Sequence, residues 1–165
     1  MRGLLKLMVL ALVPLMALTA CDKKSDAAPS AAYDLSPESN ARFLADYAKR
    51  PGVVRVADGL MYRVLEKGDG PTVQKPNDIV TVYYRGALIN GTVFDQTQPD
   101  EPRQFPAGGL IPGWVEALAK MKTGDMWEIV IPASLGYGED GAGDQIPPDQ
   151  TLVFVMKLVK VEFAP

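Results

Sequence analysis

Gly109-Leu-Ile-Pro-Gly-Trp-Val-Glu-Ala-Leu-Ala-Lys-Met-Lys-Thr-Gly124 is the stretch that decides the fold. Pro112 suits the first turn of a helix, where a missing N–H costs nothing. Trp114, Val115, Leu118 and Met121 then form one apolar stripe, and Gly124 reads as the C-terminal cap. The helix is only two to three turns long, so it cannot hold that stripe in water alone. Strand-like segments lie on both sides of it, at roughly 78–88, 92–95, 102–106, 125–131 and 151–162. They predict an α+β domain in which one antiparallel sheet wraps over one helix.

Leu60, Tyr62 and Val64 alternate with Met61, Arg63 and Leu65, which sets a first strand ending at Lys67-Gly-Asp-Gly70. The central strand places Val80, Val82 and Tyr84 on one face and Ile79, Thr81, Tyr83 and Arg85 on the other. Asn90-Gly91 is a hairpin signal returning into Thr92-Val-Phe-Asp95. Trp127, Ile129 and Ile131 alternate with Met126, Glu128 and Val130. Leu152, Phe154, Met156 and Leu158 share one side of the last strand. Residues 132–150 form a long Gly/Pro loop, and such loops inside compact domains usually mean function or disorder.

The chain has 165 residues, 47% of them hydrophobic and 22% charged, with net charge −3. These values fit one globular domain plus an extension. No basic cluster interleaved with aromatics is present, which argues against nucleic acid as a partner. With no histidine anywhere, Ser-His and Cys-His nucleophiles and His-ligated metal sites are excluded. No catalytic carboxylate pair, phosphate-binding glycine loop or metal-ligand spacing stands out, so neither metal nor cofactor is expected.

The start of the chain reads as a targeting segment. Arg2 and Lys6 precede an apolar run from Leu7 to Ala17, then Leu18-Thr-Ala-Cys21. Cys21 is the only cysteine, so no disulfide within the chain explains it. Removing residues 1–20 takes away Arg2 and Lys6 and no acid, moving the net charge from −3 to −5. Residues 21–35 are small and polar, a flexible tether. Ser36-Pro37 opens a short helix over 36–50 with a stripe of Phe43, Leu44, Tyr47 and Ala48. Lys49-Arg-Pro-Gly52 ends it.

That helix is too small to hold a dimer of the ~1,200 Å² a stable interface needs, so a monomer is expected. Val153, Val155, Val159 and Val161 give the last strand an apolar outer face. Either the helix docks there, or the valines express β-propensity and the helix frays.

The chemistry-bearing feature is aromatic: Tyr84, Phe94, Trp114, Tyr137 and Phe154, one from nearly every element. Buried aromatics are usually plain core. Tyr137, in the long loop, and Trp114, at the open end of the helix, argue for a pocket instead.

Val82-Tyr-Tyr84-Arg-Gly86, Gly91-Thr-Val-Phe94-Asp95, Ile111-Pro-Gly-Trp114, Gly136-Tyr137-Gly138 and Ile146-Pro-Pro-Asp-Gln-Thr-Leu-Val-Phe154 resemble, in order and spacing, the macrolide-binding FKBP-type peptidyl-prolyl isomerases. The resemblance covers about residues 53–163. Leu18-Thr-Ala-Cys21 is similar to the bacterial lipobox. With the Lys49-Arg-Pro-Gly-Val lead-in, it resembles the Mip-like envelope members of that family.

The resemblance implies a five- to six-stranded antiparallel sheet around one helix, spanning 53–165 as the isomerase domain. Residues 36–52 would be a short helix and linker. Trp114 would be the pocket floor, with Tyr84, Phe94, Leu110, Ile111, Tyr137, Ile146 and Phe154 as walls. Asp95 would link to Tyr84 near the substrate carbonyl, and the Ile111 N–H would donate to the ligand. Proline-containing polypeptides are the implied substrates and macrolides the implied inhibitors. Lipid on Cys21 would hold the protein to a membrane of the cell envelope, facing the periplasm. Arg103 stands where eukaryotic members carry a pocket aromatic, a departure that bears on macrolides more than on catalysis.

An X-Pro bond rotates over a barrier of about 18–20 kcal/mol set by amide resonance. Twisting the amide leaves a less dipolar bond, so an apolar pocket disfavours the planar state more than the twisted one. An acceleration of ~10^4 needs about 5 kcal/mol of such discrimination and no nucleophile. A second reading is a non-catalytic peptide-binding module or holdase using the same pocket. The complete aromatic set favours the enzyme.

Overall fold

The computed structural model describes residues 32–165. The chain runs α1 (Pro37–Tyr47), β1 (Val53–Arg55), β2 (Met61–Glu66), β3 (Ile79–Leu88), β4 (Val93–Gln96), β5 (Arg103–Pro106), α2 (Pro112–Lys120), β6 (Met126–Ile131) and β7 (Leu152–Glu162). The strands form one antiparallel sheet in the order β1-β2-β6-β7-β3-β4, with β5 also beside β3. The sheet has seven strands. The addition to the expected five or six is β1, three residues pairing with Met61–Arg63 and too short for a periodic signal. β3 and β7 pair from Ile79 opposite Glu162 to Leu88 opposite Leu152. Between β3 and β4, the Asn90-Gly91 turn forms, with Gly91 at φ +94.

The sheet curls over α2. Trp114, Ala117, Leu118 and Met121 are buried against Val80, Val82, Trp127, Ile129, Met156 and Leu158. Each large side chain so covered contributes roughly 1.5–3 kcal/mol of transfer free energy. Gly113 lets the helix sit this close: a Cβ there would lie 2.6 Å from Ile131 Cγ2.

Gly124 is not the helix cap. α2 ends at Lys120, and its C-cap, Met121, is extended (φ −74, ψ 146). The chain leaves the helix early because its backbone is bonded elsewhere. The Lys122 N–H donates to Asp125 Oδ2 at 2.7 Å, and the Gly124 N–H to the Leu158 carbonyl at 2.8 Å. Gly124 serves that turn instead, at φ +97.

α1 is capped as the sequence predicts, with Ser36 Oγ accepting from the Ser39 N–H at 3.2 Å, but it stops at Tyr47 rather than at 50. It docks on the outer face of the sheet. Phe43 and Tyr47 are buried there with Met61, Ile89, Val130 and Val153.

The outer valines divide, because β7 slips one residue against β3. Val82 pairs with Leu158 but Thr81 with Lys160, so Val159 is the extra residue of a bulge. The slip reverses the alternation. Val161 therefore turns into the core, Val159 is exposed, and only Val153 lies under α1.

Of the expected tether 21–35, only 32–35 is described, and two of its side chains pack. The Tyr33 ring meets Phe43 edge-on at 5.2 Å, and Leu35 lies against both apolar clusters. The expected targeting segment 1–20 and Cys21 lie outside the described residues.

Candidate active site

A cavity of about 750 Å³ opens where the concave side of the sheet meets the start of α2. Trp114, in the first turn of α2, is buried at its base. β3 supplies Tyr84, β4 supplies Phe94 and Asp95, β7 supplies Phe154, and the 132–150 loop supplies Tyr137 and Ile146. Leu110 and Ile111 come from the segment leading into α2. Ile111 is that helix's N-cap residue, so its N–H lies outside the helical ladder.

The rings meet edge to face, the arrangement their quadrupoles favour. Trp114 lies 5.0 Å from Tyr84 and 5.2 Å from Phe154, both at 84°. Phe94 lies 5.5 Å from Phe154. Gly86 makes room for that last pair: a Cβ there would lie 2.6 Å from Phe154 and 2.7 Å from Phe94. Among the described residues, no group accepts from the Trp114 indole N–H.

One corner of the cavity is polar. The Tyr84 hydroxyl donates to Asp95 Oδ2. Arg103 Nη1 donates to the Tyr84 oxygen at 2.7 Å and to Asp95 Oδ2 at 2.9 Å. Burial, and after it the hydrogen bond and charge of Asp95, push the Tyr84 pKa up to about 12. The hydroxyl therefore keeps its proton, and its donor role, throughout the neutral range. The Arg103–Asp95 pair is half exposed, so its worth lies in orientation rather than in stability.

The 132–150 loop is more ordered than its composition predicts. It contains two 3-10 turns, Ala133–Leu135 and Gly138–Asp140, and an Ala142–Ile146 bridge. Gly141 (φ +64) is required, since a Cβ there would lie 2.3 Å from the Ile146 carbonyl oxygen.

The structure brings all the expected pocket residues to this one cavity: Tyr84, Phe94, Asp95, Leu110, Ile111, Trp114, Tyr137, Ile146 and Phe154. Sequence reasoning missed Phe105, which lies 6.0 Å from Trp114. Its signal was present, an aromatic on the strand pairing with Val80 of β3. It also missed the rim residues Ala142, Gly143, Asp144 and Gln145. Nothing in their residue types marks them. Arg103 was noted as a departure, but its contacts to Tyr84 and Asp95 arise only in three dimensions.

Comparison with known proteins agrees with this fold. Residues 70–159 match the family described as FKBP-type peptidyl-prolyl cis-trans isomerase, and residues 14–64 match the domain amino terminal to it. The chain is 41% identical over 146 residues to the FKBP-type 22 kDa peptidyl-prolyl cis-trans isomerase of Escherichia coli, covering 88% of this chain and 70% of that one. It is 42% identical over 123 residues to the outer membrane protein MIP of Legionella longbeachae, covering 74% of this chain and about half, 52%, of that relative. A crystal structure of a peptidyl-prolyl cis-trans isomerase from Pseudomonas syringae superposes with a TM-score of 0.71 at 39% identity, over 76% of this chain and 92% of that one. The chain belongs to the FKBP-type peptidyl-prolyl cis-trans isomerases, enzymes that turn the peptide bond preceding a proline.

Proposed function

We propose that the isomerase works at the cell envelope on proline-containing polypeptides, with the prolyl ring seated on Trp114 in the cavity described above. The observation that carries this reading is the contrast within that cavity: rings from six elements enclose it, and the Tyr84–Asp95–Arg103 group is its polar corner. Phe94, Tyr137 and Phe154 close round the X-Pro bond and exclude water. Leu110, Ile111 and Ile146 hold the flanking residues.

A planar amide is the more dipolar state, so the apolar walls favour the twisted one. Asp95 fixes the Tyr84 hydroxyl beside the rotating carbonyl, and the Ile111 N–H anchors the peptide backbone. Positioning lowers the barrier further, because the bound proline is held partway along the rotation. No group of the enzyme needs to gain or lose a proton in this scheme.

Membrane attachment through lipid on Cys21 completes the proposal. It is supported by Leu18-Thr-Ala-Cys21 after an apolar run and by a relative named as an outer membrane protein. Among the described residues no helix is long and apolar enough to cross a membrane. The protein acts as a monomer in this reading, since Phe43 and Tyr47 of α1 are already covered by its own sheet.

A protease-coupled assay of the full chain on a short X-Pro peptide tests the activity. Acceleration unaffected by a chelator is expected. Loss of activity on chelation would overturn the scheme. A folded chain that binds the peptide without turnover would make it a peptide-binding module or holdase.

A further inference from the structure

Among the described residues outside the cavity, the most heavily bonded buried polar cluster joins α1 to the loop that carries Tyr137 and Ile146. Asn40, in the first turns of α1, is 6% exposed. Its Nδ2 donates to Gln150 Oε1 at 3.1 Å, and its Oδ1 accepts from the Thr151 N–H at 2.8 Å. Gln150, equally buried, donates through Nε2 to the Pro148 carbonyl at 2.9 Å and to the Leu35 carbonyl at 3.2 Å.

The network continues into the site. The Asp149 N–H donates to the Gly138 carbonyl at 2.8 Å, and Gly138 is the residue after Tyr137. Asp149 holds φ +59, a left-handed turn conformation that aspartate adopts more readily than most non-glycine residues. The wall residue Ile146 lies four positions before Gln150. The loop is thus pinned at its far end by a helix more than a hundred residues away in sequence.

Neither Asn40 nor Gln150 lines the cavity. Packing alone does not explain them either, because Phe43 and Tyr47 already seat α1 on the sheet. Two buried amides at such a junction fix one register, since any slip would leave their donors and acceptors unpaired.

We propose that Asn40 is a positioning residue: through Gln150 and Thr151 it sets the end of the 132–150 loop, and with it Tyr137 and Ile146. The N-terminal helix then contributes to turnover without touching substrate. The proposal rests on the reading of the cavity as the place where the X-Pro bond turns.

The test is the full chain carrying Asn40→Ala, assayed well below its melting temperature. A loop that visits its competent arrangement only part of the time lowers apparent affinity in proportion. kcat/KM is therefore expected to fall roughly tenfold, carried by KM with kcat nearly unchanged. A folded Asn40→Ala protein with wild-type KM would overturn the proposal. Inactivity of the wild-type chain would overturn the cavity reading instead. Native-state hydrogen exchange of the wild-type chain decides the case if the variant does not fold. The amides of Asp149 and Thr151 should open together with those of α1, and opening independent of α1 would refute the coupling.

Discussion

The Tyr47 hydroxyl donates a 2.8 Å hydrogen bond to Glu128 Oε1, and both residues are only 1% exposed. Glu128 Oε1 also forms an ion pair with Arg63 Nη2 at 3.2 Å. Alternation along β6 puts Glu128 on the outer face of the sheet, and α1 then buries it there. A buried carboxylate stripped of one partner is costly, so Tyr47→Phe should destabilise the protein by about 1–3 kcal/mol at pH 7. Chemical denaturation checks this, and equal stability of variant and wild type would contradict it.

The same contact predicts an alkaline limit. Burial first, and then the charge of Glu128, push the Tyr47 pKa well above its ordinary 10.0. The fold therefore favours the protonated phenol. Its contribution is complete below about pH 10, the unfolded value, and is lost as pH rises toward the higher folded value. Wild-type stability should decline above pH 10, and Tyr47→Phe should show a shallower decline over that range. Parallel curves would contradict the assignment.

The cavity walls should separate activity from stability. Phe94 is only partly buried and Tyr137 is exposed, so Phe94→Ala and Tyr137→Ala should lower kcat/KM substantially while the melting transition moves little. Trp114→Ala should cost activity and also about 3–5 kcal/mol of stability, since the same ring anchors α2 in the core. Full turnover by both Phe94→Ala and Tyr137→Ala would remove the walls from the mechanism.

Gly86 offers a subtler probe. In Gly86→Ala the added methyl would press on Phe94 and Phe154 at 2.6–2.7 Å. The rings must part, at an overpacking cost of about 1–3 kcal/mol. kcat/KM should fall although no aromatic side chain has been removed. Unchanged kinetics would show that the edge-to-face contact of these rings is not needed.

The two helices and the longer strands were legible because each is announced locally. Pro112 and Pro37 mark helix starts, and strict alternation marks β3, β6 and most of β7. The aromatic set was legible because Tyr137 sits in a loop, where core packing gives no reason for it. What stayed hidden depends on partners distant in sequence. The bulge at Val159 exists only in register with β3, so alternation alone placed Val161 on the wrong face. The end of α2 is set by Asp125 and Leu158 rather than by Gly124. The burial of Glu128 and the Asn40–Gln150 bond both need α1 docked before they can be seen.

Attachment is a separate matter from catalysis. Cys21→Ser should release the protein from membranes and leave its isomerase rate unchanged, because a single lipid-bearing residue is the proposed anchor. Fractionation and metabolic labelling with a fatty acid check this. A wild-type protein that takes up no label would refute the lipidation.

The central claim is that the X-Pro bond turns on Trp114, and NMR exchange spectroscopy reads it most directly. With a short X-Pro peptide and a catalytic amount of the full chain, cis–trans exchange peaks should appear, and the otherwise unpartnered Trp114 indole N–H should shift as peptide is added. Exchange that proceeds with the Trp114 signal unmoved, or that survives Phe94→Ala and Tyr137→Ala combined, would place the chemistry outside this cavity.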